Sequence, residues 1–279
     1  MNDSLIALLT ALGDDELVIG HRHSEWTGHA PHIEEDVAFS SIAQDEIGHA
    51  AAYYGLIAQI TSDDLDGLAL GRPPDEYRHA ILCERPNGDW AYTLARHWLY
   101  DSADALRLEA LEGTAHNDLA AVVVKLRREE RYHMLHAATW MSRIARGPVE
   151  GRARLIDSIA TAFPEALALF ESIDLEDEAV KEGWLPVPSD ELRARFAAHA
   201  AAGLEELGLP AEVVPPSDQS AEFVASSSGD LIEHNGDGTN GDEIQPSGLG
   251  GRRGHHSPDF DELWDEMTLT YRENPGATW

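Results

Sequence analysis

Four stretches of the chain repeat apolar residues at steps of three and four, and each stripe is broken near its middle by residues that do not belong in a core. The first runs Leu5, Leu9, Leu12, Glu16, Ile19, His23, Trp26. The second runs Phe39, Ile42, Ala43, Glu46, His49, Ala50, Tyr53, Ile57. The third is Trp90, Leu94, Trp98, Asp101, Ala105, Leu108, and the fourth is Leu119, Val123, Leu126, Glu130, His133, Ala137, Trp140, Ile144. This spacing predicts four amphipathic helices. Gly28-His29-Ala30-Pro31-His32 and Gly113-Thr114-Ala115-His116-Asn117-Asp118 carry the chemistry that ends one helix and starts the next. The helices therefore pair as two hairpins, roughly residues 2–62 and 89–147. Between them, breakers at Gly71-Arg72-Pro73-Pro74 and Pro86-Asn87-Gly88 mark a long crossover with one short helix near Asp75–Cys83. Further helices are expected from Val149 or Gly151 to about Ile173 and over Ser189–Glu206, the latter capped by Ser189-Asp190-Glu191.

The interruptions share a spacing. An acidic residue precedes Glu-x-x-His by about thirty positions in both hairpins: Glu16 with Glu46 and His49, then Asp101 with Glu130 and His133. The midpoint of each pair falls on a turn, Pro31 in the first and Ala115–His116 in the second, so antiparallel packing brings the residues to one height. A Glu and a His three apart project from one helix face. Two such pairs and two further carboxylates are the ligand set of dinuclear iron or manganese centres in ferritin-like four-helix bundles. Four carboxylates in a core repel one another unless a cation is bound or protons are taken up. Glu16, Glu46, His49, Asp101, Glu130 and His133 are thus the metal-site candidates, Asp101 being the weakest because Asp104 lies one turn on. The spacing does not separate a present site from an ancestral one. No catalytic residue is assigned. His21, His23, His29, His32, His79, His97 and His136 are expected to be polar packing or surface groups.

An all-α, ferritin-like bundle is expected over residues 1–208. Residues 209–254, rich in Ser, Gly, Asn and Asp, are expected to form a flexible linker. In 255–279, Phe260, Leu263, Trp264, Met267 and Tyr271 predict a helix over Asp259–Tyr271, with Ser257 as its cap, docking on the bundle or on a partner. Fifty-one acidic residues against 20 basic give a net charge of −31, and only Lys125 and Lys181 are lysines. Such a chain repels nucleic acid and anionic membranes. The dispersed charge fits a salt-adapted cytoplasm. Nothing is apolar enough to span a membrane, and the start of the chain carries no secretion signal. The single cysteine, Cys83, excludes an internal disulfide framework and is expected to be a buried thiol.

Several stretches resemble the C-type subunit of phenylacetyl-CoA epoxidase. These are Leu12-Gly13-Asp14-Asp15-Glu16-Leu17-Val18, Ser24-Glu25-Trp26-Thr27-Gly28-His29-Ala30-Pro31, Ile42-Ala43-Gln44-Asp45-Glu46-Ile47-Gly48-His49-Ala50, Glu84-Arg85-Pro86-Asn87-Gly88-Asp89-Trp90 and Glu130-Arg131-Tyr132-His133. Gly254-His255-His256-Ser257 and the terminal Pro275-Gly276-Ala277-Thr278-Trp279 are similar as well. The resemblance implies a subunit of a multicomponent monooxygenase of aerobic phenylacetate degradation. Its partners would be an A-type subunit that holds the working di-iron centre, a reductase drawing on NADPH, and smaller components. It also implies that the C-type chain is chiefly structural. The alternative, drawn from the six retained ligand positions, is that this chain is itself a di-iron oxidase or monooxygenase; the C-terminal extension argues against iron storage.

Overall fold

The structure is a computed structural model; it describes residues 2–214 and 248–277. Ten α-helices and no strand occur among the described residues. The first hairpin is α1 (Asp3–Ser24) with α2 (Ile33–Thr61), and the crossover contains α3 (Leu65–Leu70) and α4 (Ile81–Glu84). The second hairpin is α5 (Trp90–Leu111) with α6 (Asn117–Ala145), followed by α7 (Val149–Leu167), α8 (Glu176–Glu182) and α9 (Ser189–Glu206). The last helix is α10 (Pro258–Glu273). Both hairpins turn where the sequence placed them. No helix among the described residues is long and apolar enough to cross a membrane.

Helix boundaries follow local chemistry in some places and tertiary contacts in others. Asp64 and Asp89 cap α3 and α5 by accepting the amides of Gly67 and Tyr92, and His116 Nδ1 accepts from Leu119 at the start of α6. Two expected caps are corrected. Ser189 is the first residue of α9, and its hydroxyl and amide instead donate to the Glu176 carboxylate. Ser257 precedes α10, but its hydroxyl makes no capping bond. There the buried Glu84 takes the Ser257 amide at 2.6 Å, which fixes the chain at the entry to the helix without capping its first turn.

The two halves are held together from behind. α7 and α9 cover α5 through a buried cluster of Phe163, Phe170 and Phe196. α10 seats Phe260, Leu263 and Met267 on the crossover, with Trp264 donating to the Arg72 carbonyl. α1 lies so close to α2 that a Cβ at Gly20 would sit 2.9 Å from Ile47 and 3.0 Å from Glu46 Cβ. Only glycine permits that approach, and it occurs at the height of the interrupted stripes.

Most of the expected linker falls on 215–247, outside the described residues. At its edges the expectation differs from what is found: Leu209 and Val214 are buried, and Gly251-Arg252 is buried against the bundle. A Cβ at Gly251 would lie 2.2 Å from the His79 carbonyl. The glycine is there for close packing. Arg252 donates to both carboxylate oxygens of Asp15 at 2.9 and 2.7 Å and to the carbonyls of Ala11, Arg78 and Leu169. Arg107 reaches the same Asp15 at 2.5 Å and Asp104 at 2.9 Å. Burial pushes the Asp15 carboxyl up, but Arg252 and Arg107 together hold it below the usual carboxylate range.

Removing one member of a buried charge network strands the others. Arg252→Ala is therefore expected to destabilise the chain by about 3–5 kcal/mol, measured by chemical denaturation. Hydrogen exchange should rise across 248–273 first; unchanged protection there would show that Arg252 does not anchor the segment.

Candidate metal centre

Three of the four bundle helices bring their interrupting residues to one buried point. Glu16, Glu46 and His49 offer ligand atoms within 4.8 Å of one another, and so do Glu46, Glu130 and His133. Glu46 belongs to both groups and stands between them. His49 Nδ1 lies 3.5 Å from Glu16, Glu46 and Glu130, while His133 Nδ1 lies 3.5 Å from Glu46 and 3.0 Å from Glu130. The two imidazoles are 6.0 Å apart and nearly parallel. All five residues are buried. Asp101 stands outside both groups. Its nearest nitrogen is His97 Nδ1 at 3.2 Å, and the side chain, one methylene shorter than Glu, does not close the distance.

The second row of this centre is reciprocal, and sequence reasoning missed it. Asp45 of α2 faces His133 of α6 at 3.4 Å, and Glu129 of α6 faces His49 of α2 at 3.0 Å. Each contact is to Nε2. Each histidine thus turns Nε2 to a carboxylate of the opposite hairpin and Nδ1 toward the centre, where that of His49 has no hydrogen-bond partner and that of His133 contacts Glu130 at 3.0 Å, the orientation metal-binding imidazoles take. The signal was present as an acidic residue directly before each Glu-x-x-His glutamate. Asp104, one turn beyond Asp101, is buried and tied to Arg107.

Electrostatics show what the donor set lacks. Burial raises Glu46 far above the ordinary carboxylate value, and the Glu16 charge adds to this. Burial likewise raises Glu130 and Asp104, and brings Asp101 to about 7. Burial would lower His49 and His133. Contacts with Glu16 take His49 up to about 9 instead, and Asp45 and Glu130 take His133 up to about 12. Without a cation the cluster stays neutral only by taking up protons. Even so, Glu16 Oε2, both Glu46 oxygens, Glu130 Oε2, both Asp101 oxygens and His49 Nδ1 are buried with no hydrogen-bond partner. Such orphaned atoms are costly. A pair of divalent ions would satisfy them, so the residues present fit a dinuclear metal.

A polar column rises from this point toward one end of the bundle. Glu35 accepts from Trp140 and contacts His136, which touches His97 at 3.3 Å, and His97 faces Asp101. His23 and His97 are buried and His136 half-buried, so these three are packing groups with a direct line to the centre. On another side, a cavity of about 540 Å³ between α5 and α6 has Glu130 on its wall. Cys83 is fully buried, and burial raises its thiol above the normal value, so it is no nucleophile.

A family model described as "Phenylacetic acid catabolic protein" matches residues 1–223. The chain belongs to that family. It is 27% identical over 278 residues to the C-type subunit of 1,2-phenylacetyl-CoA epoxidase from Escherichia coli K12, covering 99% of this chain and all of that one. It is also 26% identical over 214 residues to the A-type subunit of the same epoxidase from that organism, covering 71% of this chain and 67% of that one. The end-to-end match is thus to the C-type relative, and the A-type match is confined to part of each chain.

Two measurements follow from the geometry. Asp45→Asn or Glu129→Gln should weaken Mn²⁺ or Fe²⁺ binding by roughly 10–100-fold with the fold intact, read by competitive metal titration and circular dichroism. The second concerns pH. Asp101 has a folded value of about 7, above its unfolded value of about 3.9. Its contribution in the metal-free chain is full below the unfolded value and is lost as pH rises through about 7. Metal replaces the protons, so the rise in Tm on adding Mn²⁺ should be small near the acidic end of this window and grow toward the neutral end. A metal-induced shift independent of pH would count against the carboxyls as ligands.

Proposed function

We propose that this chain is the C-type subunit of a multicomponent phenylacetyl-CoA epoxidase in aerobic phenylacetate degradation, acting chiefly as the partner of an A-type subunit that carries the working di-iron centre. The observation behind this reading is the end-to-end match to a C-type relative. A reductase and smaller components would complete the assembly. The net charge of −31, nearly free of lysine, supports a setting of high salt, where self-repulsion is screened.

A second reading stands on one specific observation: the ligand atoms of Glu16, Glu46, His49, Glu130 and His133 converge, and both Glu46 oxygens, Glu16 Oε2, Glu130 Oε2 and His49 Nδ1 have no hydrogen-bond partner. In it the chain holds its own dinuclear centre. Glu16, Glu46 and His49 would hold one ion, Glu46, Glu130 and His133 the other, and Asp101 would move in from the His97 side. A ferrous pair, when bound, supplies the electrons that activate dioxygen for insertion into an organic substrate. The protein's own part is to exclude water from Glu16, Glu46 and His49, and to hold both Nδ1 atoms inward through Asp45 and Glu129. The column from Glu35 to Asp101 would place polar groups between the centre and the bundle's end.

Metal analysis of the chain purified with and without an A-type subunit separates the two. Co-purification and epoxidation that survive Glu46→Ala with Glu130→Ala support the partner role. About two irons per chain together with loss of epoxidation in that double variant, the A-type subunit being intact, favour the second reading. Failure to associate with the A-type subunit in both low and molar salt overturns the first.

A further inference from the structure

The outward face of α2 and α6 is where, we propose, the A-type subunit docks; this rests on the chain's proposed place in the epoxidase. α1 and α5 are enclosed by α4, α7, α8 and α9. α2 and α6 are each 29 residues long and leave one side bare. The outward stripe of α2 is Val37, Ser41, Gln44, Gly48, Ala51 and Gly55. These six carry no charge; Glu34 precedes them by one turn and Asp45 lies at their inner edge. In a chain with 51 acidic residues, a helix face meant for water would be expected to carry carboxylates. The outermost positions of α6, Val124, Arg128, Arg131, Tyr132 and Leu135, are likewise without a carboxylate, Glu129 lying at the inner edge of the stripe with its side chain 32% exposed.

The two stripes form one patch. Glu35 bonds His136 and Trp140, which sets the start of α2 beside the latter half of α6. Ile33, Val37 and Leu135 are 71%, 62% and 66% exposed there. Lys125 and Arg127 face Glu129 and Glu112, whereas Arg128 and Arg131 pair with no carboxylate among the described residues. Depletion of acidic groups with Tyr and Arg retained is the composition of an interface centre. Two helices of this length, about 43 Å long at 1.5 Å per residue, offer on the order of the 800 Å² per partner that a stable complex uses.

The occupant follows from chemistry and frame. It must bring carboxylates to Arg128 and Arg131 and small or apolar groups to the α2 stripe. Gly48 and Gly55 lie two turns apart, and a Cβ on either would meet nothing within 4 Å, so a partner helix can approach closely. An A-type relative is 26% identical over 214 residues, 71% of this chain, so a subunit of that kind would bring a related helical frame. Asp45 and Glu129, 38% and 32% exposed, open onto this face. Docking would withdraw them from water and tighten their hold on His133 and His49.

Gly55→Leu and Arg131→Glu test this in the full chain co-expressed with the A-type subunit. Gly55→Leu points into open space, so the isolated variant should keep or raise its Tm. Each substitution should weaken association at least tenfold by light scattering, and wild-type α2 and α6 peptides should gain exchange protection in the complex. Wild-type binding with both variants equally competent overturns the docking face and leaves the functional reading intact. If the wild type shows no binding to the A-type subunit, the functional reading fails first. Self-association through this face that the A-type subunit does not displace also overturns the proposal.

Discussion

Three consecutive buried carboxylates, Asp14, Asp15 and Glu16, impose the constraint around which this fold is arranged. Successive helical positions point about 100° apart, so three neighbours cannot share one partner. Each needs its own source of positive charge or hydrogen bonds. Asp14 takes Arg72, the Tyr54 hydroxyl and the Arg78 amide, which fastens the crossover to α1. Asp15 takes Arg107 from the second hairpin and Arg252 from the C-terminal segment. Glu16 alone faces the bundle centre, among Glu46 and two histidines whose positive character is borrowed from other carboxylates. The first two are answered by arginine; the third asks for a metal.

The two hairpins repeat one device, and the copies differ in a way that matters. Asp45 serves the histidine of α6 and Glu129 serves the histidine of α2, so each hairpin orients the other's ligand. This crossed support ties the site to the relative placement of the hairpins, which α7, α9 and Arg252 fix from behind. The first ligand of each hairpin breaks the symmetry. Glu16 reaches the centre, while its counterpart is divided between Asp101, held near His97, and Asp104, held by Arg107. The half built on Glu130 and His133 is therefore the half with fewer fixed donors, and it is also the half that the α5–α6 cavity approaches.

Periodicity revealed what depends on faces and missed what depends on partners. The stripes located both hairpins, and the turn midpoints placed Glu16, Glu46, His49, Glu130 and His133 at one height, because side-chain direction along a helix is a local property. Asp14 and Asp15 lie outside the stripes, and periodicity says nothing of them because their arginines come from remote parts of the chain. Arg252 is 237 residues from Asp15, inside a glycine-rich stretch whose composition reads as linker. Its glycines exist because the His79 and Asp75 carbonyls press against them. Ser189 had the right type for a cap, yet Glu176 claimed its hydroxyl from thirteen residues away, and Ser257 stands at the cap position with its amide on Glu84 and its hydroxyl unbonded.

The same separation of local from remote explains the charge. Carboxylates spread over most of the surface respond to solvent, and they carry no information about the site. The information lies where they are missing. On α2 the inward face holds Glu46 and His49 and the outward face holds Val, Ser, Gln, Gly and Ala. Acid in the core of this helix and a run from Val37 to Gly55 whose outermost positions are uncharged, with Glu34 before it and Asp45 at its edge, depart from the usual order of amphipathic sequence. Burial of carboxylates inside is compensated in part by histidine, and the orphaned atoms that remain would be satisfied by metal. The exposed apolar residues beside the outer face, Ile33, Val37 and Leu135, would leave water if a partner covered it. Asp45 and Glu129 stand where these two requirements meet, with one end on an inner histidine and the other open to that face. A partner seated on α2 and α6 would therefore act on the centre through these two carboxylates, which links the proposed docking face to the ligand set.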